Sequence, residues 1–371
     1  MKVDLSSIVS IIEDIAPPSL AESWDACDLL LGNPTGKIEG VLVSLEPSRH
    51  ALKKAAREGL GLVVSHHPHF LKSPERILTD REPGKSIAFA LAHGLSLYSA
   101  HTSFDWAPGG MNDALASLLG LTRVGPLRKP DAEDYCKLVT FVPEDHVEQV
   151  ARAVFSAGGG VIGEYTHCAF RHPGTGSFLP ADSAEPFSGR RGELSYEPEM
   201  RLEVRVPRSK TEEAIRSMIR AHPYEEPAYD LYALAGAAQG GIGRIGAFDP
   251  PLSSDEFIGR VKEVLDVDTV RVTARLPRRV SKLALCTGGG RSLIPDLAGR
   301  GKLVYLTGEI DYHGALQADA LGIPVVEVGH WASEIIFVDA MADRLKKELS
   351  RAGLELKVVR FKRGGDPFTY L

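Results

Sequence analysis

The stretch LVVSHHPHF, residues 62–70, decides the fold of this chain. Its β-branched valines predict a short buried strand, and Pro68 stops that strand because proline has no N–H to donate to a sheet. His66 and His67 therefore lie where a buried strand opens into a loop. Ligands of α/β sheets bind outside the carboxyl ends of the strands. The two histidines thus mark a candidate ligand site, whose other members must come from elsewhere in the chain.

Helices and strands alternate on both sides of this stretch. Apolar spacing and turn residues predict helices over residues 5–15, 47–58, 85–93 and 109–119, and strands over residues 40–46 and 96–100. The order strand, helix, strand is typical of βαβ units with a parallel sheet. We therefore predict an α/β fold for the first third of the chain.

The composition changes near residue 130. Strands are predicted over residues 137–142, 201–206 and 228–234, and helices over residues 145–157 and 210–221. Between them lies a tract rich in Gly, Pro and Ser, residues 172–192, with little periodicity. The order of elements resembles a ferredoxin-like α+β unit. We predict an inserted domain over residues 131–235, between two halves of one α/β metal-binding body at 1–130 and 236–371.

The α/β pattern resumes after residue 240. Strands predicted over 302–307 and 324–328 run into the polar segments 308–313 and 329–334. Three glycines at 288–290 follow a strand and precede a helix. They either bring backbone amides to a phosphate or form a tight turn between strand and helix. The turn is favoured, because the segment is neither a Walker motif nor a GxGxxG fingerprint.

His330 and Glu334 lie four residues apart at the start of a predicted helix, so both side chains are on one face. A histidine and a carboxylate so placed can chelate a divalent metal. The alternative is a capping histidine beside a solvated glutamate. Other strand ends also carry residues that can bind metals, and parallel strands place these ends along one edge of a sheet. The shared edge favours the metal interpretation.

The predicted metal ligands come from both halves of the body: His66, His67, Asp105, His330 and Glu334. They exceed the roughly three protein ligands of an open catalytic zinc site, and they suit two metal ions bridged by a carboxylate. We predict that Glu334 is the bridge. Mixed imidazole and carboxylate ligands favour Zn, Mn, Fe, Co or Ni over Ca or Mg.

His101 and His313 are the candidate catalytic residues. His101 follows the strand predicted to end at residue 100, and it either binds a metal or hydrogen-bonds a water on the metal. His313 follows another strand end. Both histidines are predicted to transfer protons or to position a substrate. His69 lies beyond the strand, and we expect it behind the ligands or at the surface.

Composition narrows the class of protein. The chain has 371 residues, a net charge of -6 and a pI of about 6.1, which argues against a general binder of nucleic acids or membranes. No segment approaches the roughly 20 apolar residues of a membrane span. The four cysteines show no CxxC spacing, and we expect reduced thiols in a cytoplasmic protein.

The sequence resembles the YbgI/YqfO family of dinuclear-metal proteins, whose members are called GTP cyclohydrolase 1 type 2 homologues. The matching motifs are Trp24-Asp25, Ser65–Pro68, His101–Asp105, Thr307–His313 and Gly329–Glu334. Residues 170–176 and 222–230 are similar to the CutA/PII-like insert of the YqfO branch. The resemblance therefore covers both outer thirds of the chain and the insert.

This resemblance implies metal ligands at the five positions named above. It also implies a toroidal homohexamer, built as a trimer of dimers, with metal sites that face an internal cavity. The chain departs from the family at Ala26, where Asn is usual, and at Glu46 and Glu309, which each replace an Asp. None of these three residues is a predicted ligand.

Two functions follow as hypotheses. The first is a hydrolase in which two divalent metal ions activate water and polarise a small-molecule substrate. The family label implies a purine nucleotide such as GTP. The second is a metal-binding regulatory or chaperone-like assembly without turnover, in which the insert senses a small ligand. A role with nucleic acids has little support, because the chain is acidic and lacks interleaved basic and aromatic residues.

Overall fold

The computed structural model describes residues 2–72, 75–129, 135–163, 165–234 and 240–369. The chain divides into two compact units. The first, here called the body, contains residues 1–130 and 239–371, and the second, here called the insert, contains residues 131–238. Sheets of five, six and two strands lie in the body together with helices, so the predicted α/β class is confirmed.

The first part of the body alternates strands with helices. Its strands are β1 (Val3–Asp4), β2 (Asp28–Leu31), β3 (Lys37–Ile38), β4 (Gly40–Ser44), β5 (Leu62–Ser65), β6 (Ser96–Ser99) and β7 (Thr122–Arg128). Its α-helices are α1 (Leu5–Ile15), α2 (Arg49–Arg57), α3 (Gly84–Ala92), α4 (Thr102–Trp106) and α5 (Met111–Leu118). The strand predicted in the opening stretch is therefore formed as β5, and it ends just before His66.

The described residues of the insert form four β-strands and two α-helices. In chain order they are β8 (Tyr135–Val142), α6 (Val147–Ser156), β9 (Ala169–Phe178), β10 (Ser195–Pro207), α7 (Thr211–Ala221) and β11 (Tyr229–Ala233). Its antiparallel sheet has the strand order β11-β8-β10-β9. Helices α6 and α7 bury Val150, Val154 and Met218 in an apolar core with Leu138 and Val204. The insert thus has a hydrophobic core of its own.

The chain then returns to the body. The remaining strands are β12 (Ile242–Ser253), β13 (Arg271–Val272), β14 (Arg279–Gly289), β15 (Val304–Glu309), β16 (Val325–Glu327) and β17 (Lys357–Phe361). The remaining α-helices are α8 (Ser254–Leu265), α9 (Tyr312–Ala320), α10 (His330–Glu334) and α11 (Phe337–Arg351). Among the helices of the described ranges, none is both long enough and apolar enough to cross a membrane.

The five-stranded sheet of the body has the order β17-β4-β5-β6-β2. The first four strands are parallel, and β2 pairs antiparallel with β6. Ser44, Ser65 and Ser99 are register partners at the ends of β4, β5 and β6. The segments after these three serines therefore leave the sheet side by side at one edge.

The six-stranded sheet of the body has the order β13-β16-β15-β14-β12-β7. Strands β14, β15 and β16 are parallel, so their carboxyl ends also meet at one edge. An apolar core contains Val64 of one sheet, Leu306 of the other and Phe337 of α11. This shared core holds the two sheets in one unit and explains how their strand ends come to face a common site.

The tract rich in Gly, Pro and Ser contains a strand that we did not predict. Strand β9 pairs with β10 in continuous register from Ala169↔Val204 to Phe178↔Ser195. It lies at the edge of its sheet, where Pro173 is tolerated because one side of the strand has no partner. The glycines remove the alternation of side chains that identifies a strand. No strand bounds were predicted within residues 172–192, although the ferredoxin-like order requires a strand between α6 and β10, and β9 is that strand.

Candidate metal centre

Histidines from three strand ends meet at the shared edge. His66 and His67 follow β5, His101 follows β6, and His330 begins α10 just after β16. His66, His67 and His101 each offer a ligand atom within 4.8 Å of the others, and so do His67, His330 and Glu334. Either cluster could hold a metal ion. Because His67 belongs to both, the two clusters are adjacent.

Glu334 lies at the centre of these contacts and is buried. Its Oε1 atom is 3.6 Å from Nε2 of His66, and its Oε2 atom is 3.0 Å from Nε2 of His67. Oε2 is also 3.2 Å from Nε2 of His330. The two oxygens of one carboxylate therefore face different imidazoles, which is the arrangement that a bridging ligand requires.

Each of the four histidines has its Nδ1 atom occupied by a hydrogen bond to an oxygen. The acceptors are the Ala100 carbonyl for His66 (3.1 Å), Glu46 Oε1 for His67 (2.5 Å), Asp25 Oδ1 for His101 (2.8 Å) and Glu309 Oε2 for His330 (2.9 Å). An Nδ1 that donates in this way leaves Nε2 as the nitrogen available to a metal. These partners thus orient all four rings for coordination.

Glu46 and Glu309 are two of these orienting acceptors. They are also the positions at which this chain carries Glu where the resemblance leads us to expect Asp. Despite the extra methylene group, both carboxylates reach the ring of the histidine that they orient. The replacements therefore keep the hydrogen bonds of His67 and His330.

Several buried polar atoms near the clusters have no hydrogen-bond partner. Of six such side-chain atoms in the described residues, three belong to predicted ligands, namely His66 Nε2, Asp105 Oδ1 and Glu334 Oε2. A buried polar atom without a partner costs about 1–3 kcal/mol. A divalent cation binds lone pairs of this kind. The donor set therefore fits a metal ion, although Asp105 lies in neither of the two compact clusters.

Charges in the site are strongly coupled. Burial alone would raise the pKa of Glu334, but the close imidazoles of His330 and His66 outweigh it and hold this pKa well below its usual range. Burial lowers the pKa of His66 to about 4. Burial also disfavours charge on His67, yet contacts with Glu334 and Glu46 raise its pKa to about 10. The pKa values of two adjacent histidines are thus shifted in opposite directions, so His66 favours the neutral ring and His67 the protonated ring.

Asp25 is a residue whose role sequence reasoning missed. Its carboxylate is fully buried and accepts hydrogen bonds from Nδ1 of His101, the N–H and hydroxyl of Thr102, and the N–H of Ala26. Burial would raise the pKa of Asp25, but the bonds from His101 and Thr102 lower it below the usual range. Asp25 therefore anchors His101 at the start of α4. Its only signal in the sequence is the Trp24-Asp25 motif.

Gly288 and Gly289 end β14, and Gly290 alone lies between that strand and a 3-10 helix over Arg291–Leu297, so the change from strand to helix is even tighter than the predicted three-residue turn. Gly288 has a positive φ of 63°, and a Cβ there would lie 2.1 Å from Oε1 of Glu334. Its N–H donates to Ser333 Oγ at 2.9 Å. Glycine is thus required because the backbone approaches the Glu334 carboxylate closely.

Two other histidines, like Asp105, do not join the clusters. His313 is exposed in the first turn of α9 and belongs to neither described cluster. His69 is half-buried, and its Nε2 bonds to the Pro83 carbonyl at 3.1 Å. The role of His313 therefore stays a prediction, and His69 belongs to neither described cluster.

A cavity of about 910 Å³ opens against the clusters. His67 and His330 line one side of it, and Trp331, Phe361 and Phe368 supply aromatic surface. A second pocket, of about 380 Å³, shares His50, Phe361 and Arg363 with the cavity and adds Lys53 and Arg57. Aromatic and basic side chains therefore line the two adjoining cavities, one of which is also lined by His67 and His330 of the clusters.

Known proteins match this chain over nearly its whole length. The family described as Duf34/NIF3 (NGG1p interacting factor 3) matches residues 3–367. A Halalkalibacterium halodurans relative, named GTP cyclohydrolase 1 type 2 homolog, is 35% identical over 366 residues. The match covers 98% of this chain and 98% of the relative. A Bacillus subtilis relative of the same name is 35% identical over 370 residues, covering 100% of this chain and 99% of the relative.

A solved structure shows the same fold. It is a Bacillus cereus protein related to NIF3, with a TM-score of 0.70 and 33% sequence identity. The match covers 100% of this chain and 99% of that protein. Together with the sequence relatives, it confirms the resemblance drawn from the motifs.

Proposed function

The chain belongs to the Duf34/NIF3 family, and on that premise we propose that it is a hydrolase dependent on two divalent metal ions. The observation that carries this proposal is the set of three buried ligand atoms without hydrogen-bond partners, on His66, Asp105 and Glu334. These residues would hold the ions together with His67 and His330. The ions are Zn, Mn, Fe, Co or Ni, which suit such mixed ligands.

Bound divalent ions supply Lewis acidity, which lowers the pKa of water and polarises the bond to be cleaved. The chain contributes orientation and proton transfer. Asp25 holds His101 by its Nδ1 atom, so His101 Nε2 is free to take up a proton and to pass it on. Glu46 and Glu309 hold the rings of His67 and His330 in place. His313 stays a second candidate for proton transfer.

The proposed substrate is a purine nucleotide such as GTP. The names of the relatives support this class. The cavity supports it too, because Trp331, Phe361 and Phe368 offer surfaces on which a base can stack. Lys53 and Arg57 lie in the neighbouring pocket without an ion pair in the described residues, and they suit phosphate groups.

The assembly and the insert complete the proposal. We propose a cytoplasmic homohexamer, arranged as a trimer of dimers, and an insert of the ferredoxin-like, CutA/PII-like class. The order strand, helix, strand, strand, helix, strand supports this class, and so does the sheet order β11-β8-β10-β9. Size-exclusion chromatography with light scattering checks the hexamer, and a mass of one or two chains would contradict it.

The decisive experiment is metal analysis and nucleotide hydrolysis with Glu334→Ala. We expect wild type to bind two metal ions per chain, and the variant to lose at least one ion and all turnover. Glu355→Ala is the matched control, because Glu355 is exposed and distant in sequence from the ligands. Unchanged metal content in Glu334→Ala would refute the bridging role.

A second candidate is a metal-binding regulatory or chaperone-like assembly without turnover. It is favoured by a separate cavity within the insert. The metal-loaded protein should be tested against nucleotides, phosphodiesters and peptides. Absence of turnover with every substrate, combined with ligand binding that depends on the insert, would favour this second function over the hydrolase.

A further inference from the structure

The insert contains a cavity of about 740 Å³, here called the insert pocket. One wall is formed by residues 172–178 of β9 and another by the following residues 179–188. Glu199 and Arg201 of β10 and residues 224–228 line the remainder. The volume is in the range of pockets that bind small molecules.

Aromatic rings form much of the surface of this pocket. Phe178 and Phe187 lie 6.3 Å and 6.0 Å from Tyr224, measured between ring centroids. Phe141 adds a further ring. Ring faces carry negative partial charge and attract cations, and ammonium groups bind between several such rings in aromatic cages. The walls therefore favour a cationic ligand with an apolar part.

Glu199 supplies a buried carboxylate to the pocket, with 9% of its surface exposed. Its Oε1 atom accepts a hydrogen bond of 2.7 Å from the Tyr224 hydroxyl. In the described residues it has no ion pair. By contrast, Glu203 on the same strand pairs with both Lys137 and Arg201, at 2.8 Å each. Because an unbalanced buried charge is costly, Glu199 lacks the cation that Glu203 already has.

The remaining charges of the pocket add to this imbalance. Glu225 and Glu226 lie at its edge, and Glu225 also accepts a hydrogen bond of 2.9 Å from the N–H of Glu185, which ties one wall to the rim. Arg201 is engaged by Glu203 and lies over the ring of Phe141. Carboxylates thus outnumber cations around the aromatic walls.

We propose that the insert pocket binds a small organic cation, in which an ammonium or guanidinium group joins an apolar body. The cationic group pairs with Glu199, and the apolar body packs against Phe178, Phe187 and Tyr224. This binding site is separate in its residues from the metal centre. It gives the insert a ligand class of its own, whichever reaction the body performs.

Calorimetry on the full-length, metal-loaded protein tests the proposal with three probes of one shape. They are 2-phenylethylamine, 2-phenylethanol and phenylacetate, which are cationic, neutral and anionic at neutral pH. We expect the amine to bind at least about 10-fold more tightly than the alcohol, since a close charge pair contributes a tenfold factor or more. The anion should not bind.

Variants locate the binding site. Glu199→Gln keeps the shape of the side chain and removes its charge, so amine affinity should fall about 10-fold or more. Glu213→Gln makes the same charge change on the exposed surface of α7 and should have no effect. Phe187→Ala, at a ring that is 54% exposed, should weaken amine binding without unfolding the insert. Glu334→Ala should leave amine binding intact.

Four outcomes would overturn the proposal. The first is equal affinity for the amine and the alcohol, and the second is no amine binding at millimolar concentration. The third is unchanged amine affinity in both Glu199→Gln and Phe187→Ala. Loss of amine binding in Glu334→Ala would also overturn it, because the amine would then be a ligand of the metal centre.

Discussion

The candidate metal centre of the body and the insert pocket both bury carboxylates, but they balance the buried charge differently. In the metal centre, Glu334 is surrounded by three imidazoles whose other nitrogens are held by partners outside the clusters. In the insert pocket, Glu199 has one hydroxyl donor and aromatic walls. The first site is a rigid set of lone pairs that suits an ion. The second has aromatic walls around one buried carboxylate, which suits an organic cation.

The surroundings of a buried carboxylate determine which kind of ligand it favours. Fixed nitrogen and oxygen lone pairs within a few ångströms favour a metal, because each ligand atom is already oriented. A single carboxylate among rings favours a cation that brings its own apolar surface. The following predictions test whether the two sites behave as separately as their construction indicates.

Metal removal has the largest expected effect. A ligand at a thousand times its Kd stabilises the folded state by about 4 kcal/mol. The EDTA-treated wild-type protein should therefore have a free energy of unfolding that is lower by roughly this amount than that of the metal-saturated wild-type protein. Urea unfolding measures the change. Amine binding at the insert pocket should survive the treatment, and equal stability with and without metal would contradict a metal centre.

Asp25→Asn should have the next largest effect. The substitution replaces an anion that accepts several hydrogen bonds by a group with an N–H donor, and we expect a loss of roughly 3 kcal/mol in the metal-free protein. Tyr224→Phe removes one hydrogen bond in the insert and should cost only about 1 kcal/mol. Asp14→Asn, at an exposed residue of α1, is the control.

The pH dependence of this effect has a defined sign. The pKa of Asp25 is lowered in the folded state, so its contribution is fully present above the unfolded pKa of about 3.9 and is lost as the pH falls below it. The stability difference between wild type and Asp25→Asn should therefore shrink below about pH 4. A difference that grows in acid would be inconsistent with an ionised Asp25.

Glu46→Gln and Glu309→Gln should each weaken metal binding by about 10–100-fold, as is typical for residues that orient a metal ligand. Each substitution keeps a side chain that can contact the histidine and removes its charge. Competition with a chelator of known affinity measures the loss, and Glu355→Gln is the control. Amine affinity at the insert pocket should stay constant. Wild-type metal affinity in both variants would exclude their orienting role.

Proton release is the smallest expected effect. The pKa values of His67 and His330 are raised to about 10 and about 9, so both rings are protonated at neutral pH in the metal-free protein. Metal binding requires neutral imidazoles and should therefore expel about one to two protons per site. Calorimetry in two buffers of different ionisation enthalpy detects them. A binding heat that is the same in both buffers would rule out protonated rings.

Much of the fold could be predicted from local patterns of apolar and β-branched residues. The valines before His66 gave a strand, and the spacing of apolar residues gave α1 with its bounds unchanged. Edge strand β9 escaped prediction because glycines and Pro173 leave no alternating pattern, and its structure depends on the pairing with β10. Local sequence therefore predicts elements that bury a side-chain pattern, and it misses elements held by backbone pairing alone.

Local sequence places the histidines and the carboxylate at strand ends and in one helical turn, and hence makes a metal site predictable. His66 and His67 lie after a buried strand, and His330 and Glu334 lie one helical turn apart, because these relations are local. The hydrogen bonds that orient the histidine rings, by contrast, depend on the tertiary structure. Asp25 meets His101 across 76 residues, and Glu46 meets His67 across 21. Such pairs leave no periodic signal, since folding alone brings them within hydrogen-bonding distance.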